Sequence, residues 1–294
     1  MISRVTASGM TQSAMRHLQA NLSELARLQD QATSQRAFAA PSEDPAAAAT
    51  ALGLHAEQRR VEQYARNVDD GLSWVTTIDA AISASTALLR RARDLTVQGS
   101  NDGALDATAK EAVAVELEGI RAELLAKANT TLLGRTVFAG TSDAGAAFAP
   151  DYSFNGAPGT EVVRRLSDSA TVRVDADGAE VFGEGADSVF ALLDGIVADL
   201  RSGVNTGDRL ADIDARLTTM LGAQGAVGAR QSRIERAREA QVADSVSLEA
   251  RRAGVEDVDS VEVLVRLQAQ ELVYRSALAV TGRVIQPSLL EYLR

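Results

Sequence analysis

Residues 258–294, VDSVEVLVRLQAQELVYRSALAVTGRVIQPSLLEYLR, decide the fold of this chain. Apolar side chains recur there at steps of three and four, a spacing that predicts a long amphipathic helix. The apolar positions form two adjoining rows: Leu264, Leu267, Tyr274, Leu278 and Ile285 in one, and Val261, Val265, Leu272 and Ala279 in the other. An apolar face this wide needs a second surface to cover it.

The end of the same stretch is also apolar, with side chains at Leu289, Leu290, Tyr292 and Leu293. Chain ends usually fray, so apolar residues there indicate burial against something. We expect a partner to cover this end, and docking onto the chain's own helices is the alternative.

A matching helix is predicted near the other end, over residues 8–35. Its apolar positions follow a heptad pattern through Met15, Leu18, Leu22 and Leu25, continuing to Gln29 and Ala32. We expect Asn21, Glu24 and Arg27 to lie off this row. The pattern is equally compatible with packing inside one chain and with packing between chains.

Long helices are also predicted between the two ends. Asp44 and Pro45 suit the N-cap and first residue of a helix that continues to about Gln98, roughly 75–80 Å. Thr108 is the expected cap of a second helix, which ends near Asn129 and folds back antiparallel. Further helices are predicted from Ser188 to Gly203 and from Asp208 toward residue 252, and Asp259 or Ser260 is expected to cap the last one.

The segment from 134 to 185 has a different composition. Six of the eleven aromatic residues lie between Phe138 and Phe190, and short alternating runs predict strands, with a hairpin turn at Asp177-Gly178. The expected fold is therefore mainly α: a long antiparallel helical rod or coiled coil formed by both chain ends, with a small inserted β-rich domain. The expected boundaries are 1–45 and 255–294 for terminal assembly helices, 46–135 and 188–254 for the rod, and 136–187 for the insert.

Composition and motifs argue against several classes of function. The net charge of −10 disfavours a nucleic-acid partner, and the absence of cysteine excludes disulfides and thiolate chemistry. No apolar run predicts membrane insertion, and the first residues lack the apolar core of a cleaved signal peptide. Neither His17 nor His55 belongs to a metal-binding or catalytic pattern. We therefore expect no enzyme activity, no metal and no cofactor.

Several motifs, in order and at the right spacing, resemble the bacterial flagellin superfamily, and in particular its hook–filament junction members. They are QDQATSQR at 29–36, APSEDPAA at 40–47, ARNVDDGLS at 65–73, LGRTVFAG at 133–140 and SLLEYL at 288–293. The matched motif residues are Arg36, Pro41, Ser42, Asp44, Pro45, Arg66, Asn67, Asp70 and Gly71. The family commonly has Gly-Lys-Arg where this chain has Ser34-Gln35-Arg36, so we expect the first helix to continue further before it breaks.

The resemblance implies a structural component of the bacterial flagellum, an adaptor that joins hook to filament by self-assembly of its terminal helices. The implied partners are copies of itself in a ring or tube, neighbouring hook-associated and flagellin subunits, and an export chaperone. The implied location is extracellular, after flagellar type III export without a cleaved signal peptide. The expected assembly residues are Leu18, Leu22, Leu25, Leu264, Leu267, Leu272, Tyr274, Leu278, Ile285, Leu289, Leu290, Tyr292 and Leu293. The alternatives are a flagellin filament subunit and a cytoplasmic coiled-coil scaffold.

Overall fold

The computed structural model describes residues 7–101, 106–157 and 159–285, with side chains at the two ends from Gly9 to Arg283. Helices dominate, and long helices come from both ends of the chain, as predicted. In chain order the elements are α1 (Ala7–Ser34), α2 (Pro45–Gly99), α3 (Ala107–Ala128), β1 (Thr131–Leu132), β2 (Arg135–Thr136), β3 (Val163–Arg165), β4 (Thr171–Arg173), α4 (Gly178–Phe182), a 3₁₀ turn (Gly185–Asp187), α5 (Val189–Ser202), α6 (Arg209–Glu256) and α7 (Ser260–Ile285).

The chain forms two compact units. The first comprises Met1–Arg60 and Asp244–Arg294, and the second comprises Val61–Ala243. In the first unit, α1 packs against α7. In the second unit, the core draws on α2, α3, α5 and α6 together with the strand-containing segment.

Local hydrogen bonds explain where the helices begin and end. The Asp44 carboxylate accepts from the backbone N–H groups of Ala46 and Ala47, and the Asp259 carboxylate does the same at the start of α7. These caps satisfy N–H groups that have no partner within the helix. The predicted cap at Thr108 is wrong, because Asp106 caps α3 through the backbone N–H of Ala109.

The strands form two small antiparallel hairpins. β1 pairs with β2, and β3 pairs with β4 in the register Val163 to Arg173 and Arg165 to Thr171. The predicted hairpin at Asp177-Gly178 is wrong: Asp177 is instead the N-cap of α4 and accepts from the N–H groups of Ala179 and Glu180. An Asp-Gly pair can begin either structure, and here the cap forms because Val181 and Phe182 are buried as part of a helix.

Aromatic rings fill the core of the second unit beside these hairpins. Phe148 lies 5.4 Å from Phe190 and 5.9 Å from Phe182 between ring centroids, in edge-to-face contacts. Tyr152 joins them and donates a hydrogen bond to Asp194 of α5 at 2.6 Å. Burial and this carboxylate raise the pKa of Tyr152 to about 12. The aromatic residues thus bind the irregular segment to the helices.

By length and composition alone, one helix in the described part of the chain could cross a membrane. It is α2, and 44% of its most apolar segment is buried within the protein. Core helices of folded domains have the same properties, so this is weak evidence for a membrane span.

Candidate assembly surface

The two terminal helices meet along a heptad seam. On α1 the inward positions are Ala14, Leu18, Asn21, Leu25 and Leu28, and Leu28 is only 3% exposed. The steps of four and three keep these side chains on one face of the helix. α1 and α7 run antiparallel, since Asn21 bonds to Gln270 while Arg36 pairs with Asp257.

The inward positions of α7 have the same spacing. They are Val263, Leu267, Gln270, Tyr274 and Ala277, of which Val263 is buried and the others are partly buried. Most of the seam is apolar, but its middle holds an amide pair. The Nε2 of Gln270 donates to the backbone oxygen of Asn21 at 3.2 Å and lies 3.5 Å from the side-chain oxygen of Asn21.

This seam differs from the one that the sequence pattern predicts. Leu18 and Leu25 face α7 as expected, but Met15 is 54% exposed and Leu22 is 48% exposed. Asn21, expected off the seam, lies within it. An apolar repeat alone could not reveal this, because a polar residue in a seam is recognisable only once its partner on the other helix is known.

The outward side of α7 carries a broad apolar surface. Leu264, Leu272 and Leu278 are 51%, 67% and 44% exposed, and four valines lie beside them: Val261, Val265, Val273 and Val280. Single apolar residues are ordinary on protein surfaces, whereas seven exposed leucines and valines on one helix favour an interaction site. We call this patch the outward apolar face.

An open groove lies between the start of α1 and the end of α7. It has a volume of about 740 Å³ and is lined mainly by apolar atoms from both helices, and its lining includes Ala14 and Ala277. The groove exists because the seam residues here are small and do not fill the space between the helices. Side chains of a second protein could pack into it without displacing the seam.

The connection from α1 to α2 contacts the connection from α6 to α7. The Ala37 N–H donates to the Glu256 carbonyl at 2.7 Å, and the Val258 N–H donates to the Gln35 carbonyl at 3.2 Å. α1 ends at Ser34 with Gln35 at a φ of 57°, so the expectation that the helix continues further is wrong. A left-handed residue ends this helix even without the family's glycine.

Ion pairs also stabilise the end of α6, where it leads into the α6–α7 connection. Glu256 accepts from Arg252 at 2.8 Å and contacts the His55 ring at 2.6 Å. Arg252 chiefly, and His55 to a lesser extent, hold the pKa of Glu256 below its usual value, while burial opposes them. Arg252 also binds Glu249 at 2.6 Å, so one guanidinium ties two turns of α6 together.

Four of the family-motif residues lie on α2 in the second unit, and three of these contact the β3–β4 hairpin. The Asn67 amide donates to the Arg165 carbonyl at 2.9 Å, and Asp70 accepts from Arg164 at 2.5 Å. Gly71 is buried, and a Cβ there would meet Val174 at 3.3 Å. This motif therefore positions a hairpin within one chain.

The remaining family-motif residues include Arg66, which donates to Gln63 on the surface of α2. Pro45 is the first residue of α2, while Pro41 and Ser42 lie in the exposed connection before it. Five expected assembly residues have side chains outside the described part: Ile285, Leu289, Leu290, Tyr292 and Leu293.

Comparison with known proteins gives consistent matches. A model of the bacterial flagellin N-terminal helical region matches residues 5–143, and a model of the bacterial flagellin C-terminal helical region matches residues 210–293. Together they cover more than half of the chain. Flagellar hook-associated protein 3 of Salmonella typhimurium is 28% identical over 217 residues, which are 68% of this chain and 68% of that protein.

Two other relatives extend this comparison. The flagellin of Bacillus subtilis is 23% identical over 273 residues, covering 86% of this chain and 87% of that protein. A solved flagellar hook-associated protein from Vibrio parahaemolyticus superimposes with a TM-score of 0.68 at 20% identity, over 73% of this chain and all of the solved one. The last similarity concerns the fold alone.

Proposed function

This chain belongs to the bacterial flagellin family, and we propose that it is a structural adaptor that joins the flagellar hook to the filament. Its subunits self-assemble into a ring or tube through their terminal helices. The single observation that carries the proposal is the outward apolar face of α7, since Leu264, Leu272 and Leu278 are 51%, 67% and 44% exposed in the described part of the chain.

The geometry of the α1–α7 pair supports assembly through this face. The seam already uses one side of each helix, so the pair presents its remaining apolar side chains to neighbouring molecules. Burying apolar surface contributes about 25 cal/mol per Å² toward an interface, so these leucines and valines favour association between repeated copies. Hook-associated proteins on one side and flagellin on the other are the proposed neighbours.

Export and location are part of the same proposal. The chain leaves the cell through the flagellar type III channel without a cleaved signal peptide and becomes part of the extracellular flagellum. An export chaperone covers the α7 region beforehand. The support is chemical, because an apolar helix face of this kind would otherwise associate prematurely inside the cell.

Deletion of the gene tests the proposed role. We expect cells with hooks that carry no filament, and flagellin released into the medium, as seen by electron microscopy and by analysis of the culture supernatant. Complementation with the intact chain restores filaments. Normal filaments in the deletion strain would contradict the proposal.

A filament subunit is the second candidate, favoured by the length of the match to Bacillus subtilis flagellin. The same deletion separates the two roles. Loss of a filament subunit leaves hooks without filaments and releases no other flagellin, whereas loss of an adaptor leaves the flagellin in the medium. A cytoplasmic scaffold would instead remain in the cell fraction of the intact strain.

A further inference from the structure

We propose that the tip of the β1–β2 hairpin is a contact site for a second copy of this chain. Leu133 and Arg135 of one copy dock on the connection between α5 and α6 of the next copy, against Val204 and Asp208. This contact lies in the second unit and adds to the terminal helices as an assembly surface. It deepens the proposed self-assembly, which supplies the neighbouring copy, and it rests on that proposal.

Leu133 occupies a turn position that disfavours leucine. Pairing of Leu132 with Arg135 leaves Leu133 and Gly134 as a two-residue turn, with φ values of 50° and 80°. Positive φ at both positions is typical of a type I′ turn, for which Asn-Gly is the preferred pair. A leucine in this left-handed conformation has its Cβ too close to the following carbonyl oxygen. Asparagine at position 133 would therefore suit the turn better.

The side chain of Leu133 is also in an unfavourable environment. It is 87% exposed, more than any other large apolar side chain in the described part of the chain. Its neighbour Leu132, by contrast, packs against the core of the second unit. Contacts within one chain thus compensate for neither the strained backbone nor the exposed leucine. Such a combination favours a contact that forms outside the chain.

Two cations accompany Leu133. Arg135 is exposed two residues later, and Lys127 is exposed in the last turn of α3, just before the hairpin. Within residues 7–101, 106–157 and 159–285, neither side chain forms an ion pair. The tip is therefore apolar with unpaired positive charge beside it, and it suits an apolar surface that carries a carboxylate.

The connection between α5 and α6 has the complementary chemistry. Val204 is 53% exposed, and Asp208 is exposed without an ion pair among the described residues. The hydroxyl of Thr206 donates to the Thr96 carbonyl at 3.1 Å, so the connection is fixed against the end of α2. It therefore presents an apolar side chain and a carboxylate from a defined backbone.

The arginines near this connection already have carboxylate partners. Arg209 pairs with Asp199 at 2.8 Å, and Arg201 pairs with Glu111 at 2.7 Å. Asp208 thus remains available to the Arg135 of a neighbouring copy. Exposed ion pairs are individually weak, so in this contact Leu133 and Val204 supply apolar burial while the charges orient the two copies.

The two surfaces lie at opposite ends of α3. The ion pair between Arg201 and Glu111 places the end of α5 beside the start of α3, whereas the hairpin follows the end of α3. The 22 residues of α3 span roughly 33 Å. One chain cannot bring its own tip to its own connection, so the contact requires two copies. A contact between two different surfaces is heterologous and can repeat around a closed ring.

Disulfide cross-linking tests the contact directly, because the chain contains no cysteine. Full-length Leu133→Cys chains are mixed with full-length Val204→Cys chains under mild oxidation, and mass spectrometry identifies the joined peptides. We expect the 133–204 conjugate to exceed the 133–133 and 204–204 conjugates at least about five-fold, because a heterologous contact brings only the first pair together. Equal yields of the three conjugates, or no conjugate, would overturn the proposal.

Charge reversal in the same mixture tests the ion pair. Arg135→Glu in the first chain should lower the yield of the 133–204 conjugate about five-fold, because repulsion from Asp208 replaces attraction. Adding Asp208→Arg to the second chain should restore the yield. Circular dichroism verifies that each variant is folded. If Arg135→Glu leaves the yield unchanged, Arg135 does not orient the contact and the proposal fails.

Leu133→Asn separates the contact from the turn. It should raise the urea midpoint of the monomer, because asparagine suits this turn, and lower self-association in sedimentation velocity. Leu133→Ala should lower self-association without raising the midpoint, since it keeps the left-handed strain. Val115→Ala, at a 55% exposed site on α3, is the matched control and should change neither. Self-association of Leu133→Asn equal to that of the parent would contradict the contact.

The adaptor role and this contact can fail separately. If the deletion strain makes normal filaments while the 133–204 conjugate predominates, the adaptor role fails and the contact between copies stands. If the strain lacks filaments while the conjugate does not predominate, the contact fails and the adaptor role stands.

Discussion

A single missing Cβ allows the β3–β4 hairpin to lie on α2. Gly71 is buried against Val174 and Ile234, at 3.3 and 3.6 Å from where its Cβ would be, whereas Gly53 on the same helix has open space around it. Glycine weakens a helix by about 1 kcal/mol relative to alanine, so a buried helical glycine signals a packing requirement. The motif that resembles the family therefore contributes packing at this position.

Replacing Gly71 by valine should destabilise the second unit by about 1–3 kcal/mol, because the added carbons overlap Val174 and force the hairpin outward. Equilibrium urea unfolding followed by circular dichroism measures the change. Gly53→Val is the matched control and should shift stability by less than about 0.5 kcal/mol. Equal effects of the two substitutions would show that Gly71 does not position the hairpin.

At the scale of elements, the Glu256 carboxylate supports the contact between the α1–α2 and α6–α7 connections. Arg252 holds the pKa of Glu256 below its ordinary value of 4.5, so the folded protein binds this proton more weakly than the unfolded chain. The stabilisation is complete above pH 4.5 or slightly higher, and it is lost as the pH falls through the lowered pKa of the folded state.

The Glu256→Gln variant should therefore be less stable than the parent at pH 6, and the difference should shrink as the pH approaches 3. Urea midpoints measured at several pH values follow this change. Glu123→Gln, at an exposed site on α3, controls for the loss of one negative charge. A Glu256→Gln difference that stays constant from pH 6 to pH 3 would contradict the assignment.

Sequence and structure agree best for single elements with local signals. Asp44 and Asp259 were predictable as caps because a cap requires only a side-chain oxygen a few residues before a helical N–H group. The α4 helix after Asp177 was not predictable, because Asp-Gly suits a turn as well as a cap. The burial of Phe182 beside Phe148 distinguishes the two, and that contact joins distant parts of the sequence.

At the scale of the whole molecule, an aspartate substitution in the seam should have a different effect from one on the outward apolar face of α7. Leu272→Asp should leave the stability of the monomer unchanged and abolish assembly, because this side chain is 67% exposed. Leu267→Asp should also loosen the α1–α7 pair, because Leu267 lies in the seam. Helical content and complementation of the deletion strain measure the two effects. Filaments restored by Leu272→Asp would rule out this face as the assembly surface.

The terminal helices should also be the least stable part of the isolated monomer. α1 and α7 are joined by a narrow seam and keep many apolar side chains exposed, so little burial opposes local opening. Amide hydrogen exchange should show weak protection from Leu264 to Leu278 and strong protection in α3, where Leu117 and Leu124 are fully buried. Protection in the terminal helices equal to that in α3 would contradict the prediction that they are the least stable part of the monomer.

The sequence by itself determined the helical class of the protein, most helix boundaries and the apolar character of both ends. These properties depend on periodicity and on hydrogen bonds between residues close along the chain. The tertiary structure decided which apolar row of each terminal helix is buried, since Asn21 faces Gln270 while Leu22 is exposed. It also decided that the motif around Gly71 holds a hairpin. Both outcomes depend on contacts between residues far apart in sequence, which a local pattern does not specify.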